Sequence, residues 1–299
     1  MMVKDSKKIR VIIDTDAACE ADDQYAIVHA LLTPKFIIKG IIGEQFFLNG
    51  GMSSVEKSAA EIKRILDIMD RKEIPVLEGY QKMLASDCDI PESAGADFII
   101  AEALQSDDRP LFVLCQGAIT NVAIALRKCP EIADRFICIW IGGGEYPEGD
   151  WEFNLHNDTN AANTVFASSV ELWQVPKDCY TQMQVGYAEL ERRVMPWGEI
   201  GKYLYEELMT LGEKVDWTPG ESWTLGDSPV VGLAMNPNCG RYRLQSAPIV
   251  DKEGHYVGSH PHRQIRVYHT IDSRFILEDL YAKLELFSRT PETFLPRSN

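Results

Sequence analysis

The chain has 299 residues, 45% hydrophobic and 25% charged, ordinary values for a globular protein that buries its core without crosslinks. Its 45 acidic and 30 basic residues leave a formal charge of -15, which repels a phosphate backbone and argues against polymeric nucleic acid as a partner. The seven cysteines are scattered, odd in number and without a CxxC pair, so neither a disulfide framework nor a zinc site is expected.

Short β-rich runs alternate with helical patterns through the first half. Val11 to Ile13 reads as a buried strand and Tyr25 to Leu32 as the helix after it. Phe36 to Ile42 is a second strand. The spacing of Ala59, Ile62, Ile65, Leu66 and Met69 predicts an amphipathic helix over Ser53 to Asp70. Pro75 to Leu77, Leu111 to Cys115 and Phe136 to Ile141 continue the strands, with helices over Asp97 to Leu104 and Asn121 to Lys128. The second half reads as more helical and less regular, with strands over Tyr242 to Val250 and Gln264 to Tyr268 and a last helix over Arg274 to Ser288. Strands separated by helices imply right-handed crossovers and a mostly parallel sheet flanked by helices, an α/β fold with a Rossmann-like core. No linker or repeat marks a boundary, so residues 1–299 are expected to form one domain.

Ligands of such sheets bind beyond the carboxyl ends of the strands. The unusual polar groups fall there: Asp14-Thr15-Asp16, Gly43-Glu44-Gln45, Gln116-Gly117 and Gly142-Gly143-Gly144 each follow a strand. The segment from Asp14 to Asp23 holds five carboxylates, adding Glu20 and Asp22. Crowding like charge this closely is costly unless a cation neutralises it. Hard oxygen ligands favour calcium or magnesium over zinc, and a carboxylate-held ion suits a hydrolase whose nucleophile is water. Asp22 and Asp23 also stand where a helix dipole favours negative charge.

Four segments in order then resemble one family. Asp14-Thr15-Asp16 with Asp22-Asp23 resembles the DTDPGxDD signature of the inosine–uridine-preferring nucleoside hydrolases. Gly117 to Asn121 is similar to that family's TGxLTN segment, Glu152-Phe153-Asn154 to its EFN segment, and Asp227-Ser228-Pro229 to its HDP segment. The resemblance runs from about residue 9 to 287 and implies the nucleoside-hydrolase fold, cleavage of N-glycosidic bonds in ribonucleosides or related ribosides, and a role in nucleoside salvage. It implies calcium held by Asp16, Asp23, Asp227 and the Gln116 carbonyl. Asp16 would activate the water, and Asp22, Glu152 and Asn154 would hold the sugar. It also implies a homo-oligomer, dimer or tetramer.

The departures are specific. Ala17-Ala18 replaces Pro-Gly, and two extra residues separate Asp16 from the Asp pair. Glu44 stands where the family has asparagine and is expected to contact substrate. Gly226 replaces the histidine implied as proton donor to the leaving base, so Trp223, Trp151, His260 and His262 become candidates at that end. A second resemblance, of Val11 to Asp16 to the hhhDxD start of haloacid-dehalogenase-type phosphohydrolases, would make Asp14 a nucleophile with magnesium. A third reading is a binding protein that keeps the pocket without turnover. Met1 to Arg10 lacks a signal-peptide core, and no apolar run reaches the roughly 20 residues that cross a bilayer, so a cytoplasmic protein with no membrane partner is expected.

Overall fold

The computed structural model describes residues 3–86 and 88–294; residues 1, 2, 87 and 295–299, part of the expected domain, lie outside the described residues. Its centre is β1 (Ile9–Thr15), every residue of which is buried. The β-branched run Val11-Ile12-Ile13 suits a pleated strand covered on both sides. Alternate side chains enter opposite layers: Val11 and Ile13 pack with Ile41 and Leu280, whereas Ile12 packs with Ile42, Ile99 and Val122.

Around it run β2 (Phe36–Gly43), β3 (Val76–Glu78), β4 (Leu111–Cys115), β5 (Ile137–Ile141) and β6 (Glu171–Val175). Two short strands, β7 (Gln184–Gly186) and β8 (Ser222–Thr224), pair apart from the main sheet. β9 (Gly240–Val250) and β10 (Tyr256–Ile271) complete it, in the order β3-β2-β1-β4-β5-β6-β10-β9. Neighbours are parallel except β9 against β10. The expected α/β fold with a mostly parallel sheet is therefore observed, with one antiparallel edge.

Helices cover both faces. Ser54–Ile68 buries Val55, Ala59, Ile62, Ile65 and Leu66 and exposes Glu56 and Lys57, the division its spacing predicts. Asp23–Leu31 is buried throughout, because other helices close over its outer side. Two expectations need correction. Glu171–Val175, in the half expected to be more helical and less regular, is β6, an interior strand; and the strand expected over Gln264 to Tyr268 extends from Tyr256 to Ile271. Among the described residues no helix is long and apolar enough to cross a membrane.

The strand order decides where a site can form. From β1 the chain moves outward to β2 and β3, then returns to β4 and proceeds to the other edge. The crossovers leave β1 and β4 in opposite directions, so a crevice opens beyond their carboxyl ends. Asp16 follows β1 and Gln116 follows β4, which sets both on that crevice.

Candidate active site

A cavity of about 740 Å³ occupies the crevice, a volume suited to a small metabolite. Asp16, Asp22, Asp23, Gln116, Glu152, Asn154 and Asp227 all line it. The local sequence accounts for the convergence. The acidic loop after β1 ends at the helix Asp23–Leu31, whose first residue is Asp23 and whose N-cap is Asp22. Asp227 stands at the N-cap of Ser228–Met235 and Glu152 at that of Phe153–Asn157. Helix N-termini stabilise negative charge, so these ends suit carboxylates otherwise costly to bury.

Carboxylate oxygens of Asp22, Asp23 and Asp227 lie within 4.8 Å of one another, and all three residues are buried. Asp16 is 3% exposed beside them, its carboxylate against the backbone at Gly117. Thr15 Oγ1 donates to Asp23 Oδ1, and the Asp227 amide donates to Asp22 Oδ2 at 3.2 Å. Four of the expected ligand and sugar-binding carboxylates thus share one floor. Asp22, expected only on sugar, stands within the ligand-distance trio.

Electrostatics mark the floor as strained in charge. Burial holds Asp22 at about 6 and, with the Asp22 charge added, Asp23 at about 8. Asp16 and Asp227 are held well above the usual carboxylate range, by burial first and by surrounding carboxylates second. Glu20, contributed by the longer loop, is pushed up to about 8, again chiefly by burial. A divalent cation removes that penalty without requiring protons.

The donor set fits such an ion. All side-chain oxygens are hard, and Gln116 adds a buried side chain whose Oε1 and Nε2 have no hydrogen-bond partner. The Gln116 main-chain carbonyl accepts from Asn154 Nδ2 at 3.1 Å, and the Ile141 carbonyl accepts from the same nitrogen at 2.9 Å. Both hydrogens of that amide are spent on strand ends, leaving its oxygen for a ligand. Glu152 accepts from the backbone of Gly143 at 2.8 Å and Leu155 at 2.9 Å, and from Tyr180 Oη at 3.1 Å. Those bonds fix its carboxylate on the cavity wall.

Several expected residues are elsewhere. Glu44 is fully buried beneath the helix Thr120–Lys128 and does not line the cavity; its Oε2 accepts from Asn121 Nδ2 at 3.0 Å, and that nitrogen also donates to Asp14 Oδ1 at 3.0 Å. Amide donors at the start of that helix satisfy the carboxylate and turn it away from the crevice. Asp14, turned the same way by the strand pleat, is absent from the cavity, which removes the nucleophile that the phosphohydrolase reading requires. Trp223 is 2% exposed in the core with its ring 4.9 Å from that of Trp217, and it is Trp217, 61% exposed, that forms the cavity wall. Trp151 does line the cavity, half-exposed beneath Lys177. His260 and His262 lie on β10 away from it.

Residues not anticipated complete the walls: Lys177, Tyr180 and Thr181 beyond β6, and Trp217 and Thr224 around β8. The signal for the first group was its place after a strand. Leu172, Trp173 and Val175 are apolar and buried in β6, and the carboxyl end of that strand obeys the same rule as the ends of β1 and β4.

Known proteins resemble this chain. The chain is similar to the pyrimidine-specific ribonucleoside hydrolase RihA of Salmonella paratyphi B, with 29% identity over 207 residues, 61% of this chain. The match spans 64% of that relative's length. A purine-preferring ribonucleoside hydrolase from Gardnerella vaginalis superposes with a TM-score of 0.75 at 21% identity, over 94% of this chain and 99% of that one. A plant nucleoside hydrolase gives 0.73 at 20% identity, over 93% and 99%. These two likenesses establish the fold. Residues 11–277 match the family model described as inosine-uridine preferring nucleoside hydrolase, and the chain belongs to that family.

Proposed function

We propose that the chain is a metal-dependent hydrolase that cleaves the N-glycosidic bond of ribonucleosides to ribose and free base. The observation that carries this reading is the buried trio of Asp22, Asp23 and Asp227, with Asp16 beside it, on the floor of a metabolite-sized cavity. The names of similar proteins divide between pyrimidine and purine substrates, so the proposal stands for nucleosides as a class.

Asp16, Asp23, Asp227 and the Gln116 carbonyl are the proposed ligands, with Asp22 within reach of the same point. A hard divalent ion there, calcium or alternatively magnesium, supplies charge that acidifies water and orients a sugar diol. Asp16 accepts the proton of the attacking water. Glu152 and the Asn154 amide oxygen accept hydroxyls of the ribose, and Asp22 holds the sugar from the floor. The surrounding carboxylates stabilise the positive charge that develops on the sugar as the C1′–N bond breaks.

Seven free cysteines support a reducing, cytoplasmic setting. One sheet joining both halves supports a single domain over residues 1–299. A homo-oligomer, dimer or tetramer, rests on family resemblance. The test is ribose release from purine, pyrimidine and nicotinamide ribosides, with and without chelator. Release that chelator abolishes supports the proposal; no release from any riboside at saturating calcium overturns it and favours a binding protein.

A further inference from the structure

Donors and acceptors are unevenly distributed around the cavity. The floor presents carboxylates: Asp16, Asp22, Asp23, Asp227 and, on its wall, Glu152. A base that leaves with the bonding electron pair requires the opposite, a hydrogen-bond donor where negative charge develops. One short stretch after β6 supplies such groups. Lys177, Tyr180 and Thr181 line the cavity together, because residues three and four apart share a helical face.

Their hydrogens are committed differently. The Thr181 hydroxyl donates to the Lys177 carbonyl at 2.7 Å, within its own turn. The Lys177 ammonium donates to the Trp151 carbonyl at 3.2 Å, beside a half-exposed indole at the mouth. Tyr180 reaches inward, its hydroxyl donating to Glu152 Oε1 at 3.1 Å. Its ring occupies space that Gly226 leaves open: a Cβ at 226 would stand 3.1 Å from Tyr180 Cδ2 and 3.3 Å from Asp22 Oδ2. Of the three, Tyr180 is the one packed against the carboxylate floor.

We propose that, in the hydrolysis put forward above, Tyr180 is the leaving-group donor, its hydroxyl turning from Glu152 to the departing base. The C1′–N bond breaks and its electron pair goes to the base. Water adds its oxygen to C1′ and gives a proton to Asp16. Tyr180 shares its hydrogen with the base while the charge develops, keeps it, and the base takes up the released proton through solvent.

The experiment compares unmutated protein, Tyr180→Phe and Lys177→Met on uridine, inosine and p-nitrophenyl β-D-ribofuranoside, whose nitrophenolate departs without a donor. Tyr180→Phe retains the ring and removes only the hydroxyl. The expected result is a kcat lower by about 10²- to 10³-fold on the nucleosides with little change on the nitrophenyl riboside. Equal losses on both substrate types reduce Tyr180 to a holder of Glu152 and overturn the proposal, as does no loss on either. A nucleoside-selective loss in Lys177→Met without one in Tyr180→Phe also overturns it. If unmutated protein releases ribose from none of the three, the hydrolysis reading itself fails and this one falls with it.

Discussion

Asp16 lies so close to Gly117 that a Cβ added to the glycine would come within 2.8 Å of the Asp16 Cγ and Oδ1 atoms. The end of β4 therefore has no side chain where the end of β1 delivers its carboxylate. Gly117→Ala must displace one of them. The expected outcome is a loss of roughly 10²-fold in kcat/KM from a shifted Asp16, with about 1–3 kcal/mol of destabilisation from overpacking. Ribose-release kinetics and a melting curve on the same sample check both; unchanged kinetics mean that Asp16 does not act from this position.

The trio of Asp22, Asp23 and Asp227 predicts an order of ion affinities. Loss of groups that merely orient ligands typically weakens metal sites about 10- to 100-fold, so Asp23→Ala and Asp227→Ala should each exceed about 100-fold. Asp22→Ala should also weaken binding, because its oxygen lies within the same 4.8 Å. Glu20→Ala, outside the trio, should cost far less. Calcium titration calorimetry reads all four; equal losses for Glu20 and Asp227 contradict the ligand assignment.

Protons and metal compete for this floor. Burial raises Asp22 to about 6 and Asp23 and Glu20 to about 8, against ordinary values of 3.8 and 4.5. The folded state thus binds more protons than the unfolded state between roughly pH 4 and 8. These groups' contribution is fully present below the ordinary values and is lost as pH rises through the folded values. Metal-free protein should accordingly show a falling Tm from pH 5 to pH 8, and saturating calcium should remove most of that fall. A Tm of chelated protein that rises across this window contradicts the charge-crowded floor.

The two adjacent indoles separate packing from binding. Trp223→Ala empties a core position and should cost about 3–5 kcal/mol of stability. Trp217→Ala removes an exposed wall and should leave the fold nearly unchanged while raising KM for nucleosides. Denaturant unfolding and steady-state kinetics on the two variants decide it. A stable Trp223→Ala protein with impaired substrate binding reverses the assignment.

The legible parts of the molecule were those in which local pattern and tertiary role coincide. The Val11 to Ile13 run is a strand wherever it is buried, and the acidic cluster after it is unusual enough to mark the rim. Glu44 was not legible, because a carboxylate at a strand end can serve the crevice or a neighbouring helix start, and only the position of Asn121 decides. Trp223 and Trp217 have the same residue type six positions apart; which is covered depends on the pairing of β7 with β8. Tyr180 was not legible because β6 was not: Gln174 interrupts the apolar run of Glu171–Val175, and only in the fold is its amide buried, donating to the Gly142 carbonyl at 2.9 Å.

The most direct test of the carboxylate centre is the rate of ribose release by Asp16→Asn in saturating calcium, with a melting curve as control. The predicted result is a fall of about 10²- to 10⁴-fold from loss of the base that takes the water's proton, with a cooperative melting transition retained and, in metal-free protein, the Tm kept or raised by removal of one crowded charge. A variant that hydrolyses nucleosides at the unmutated rate would contradict it.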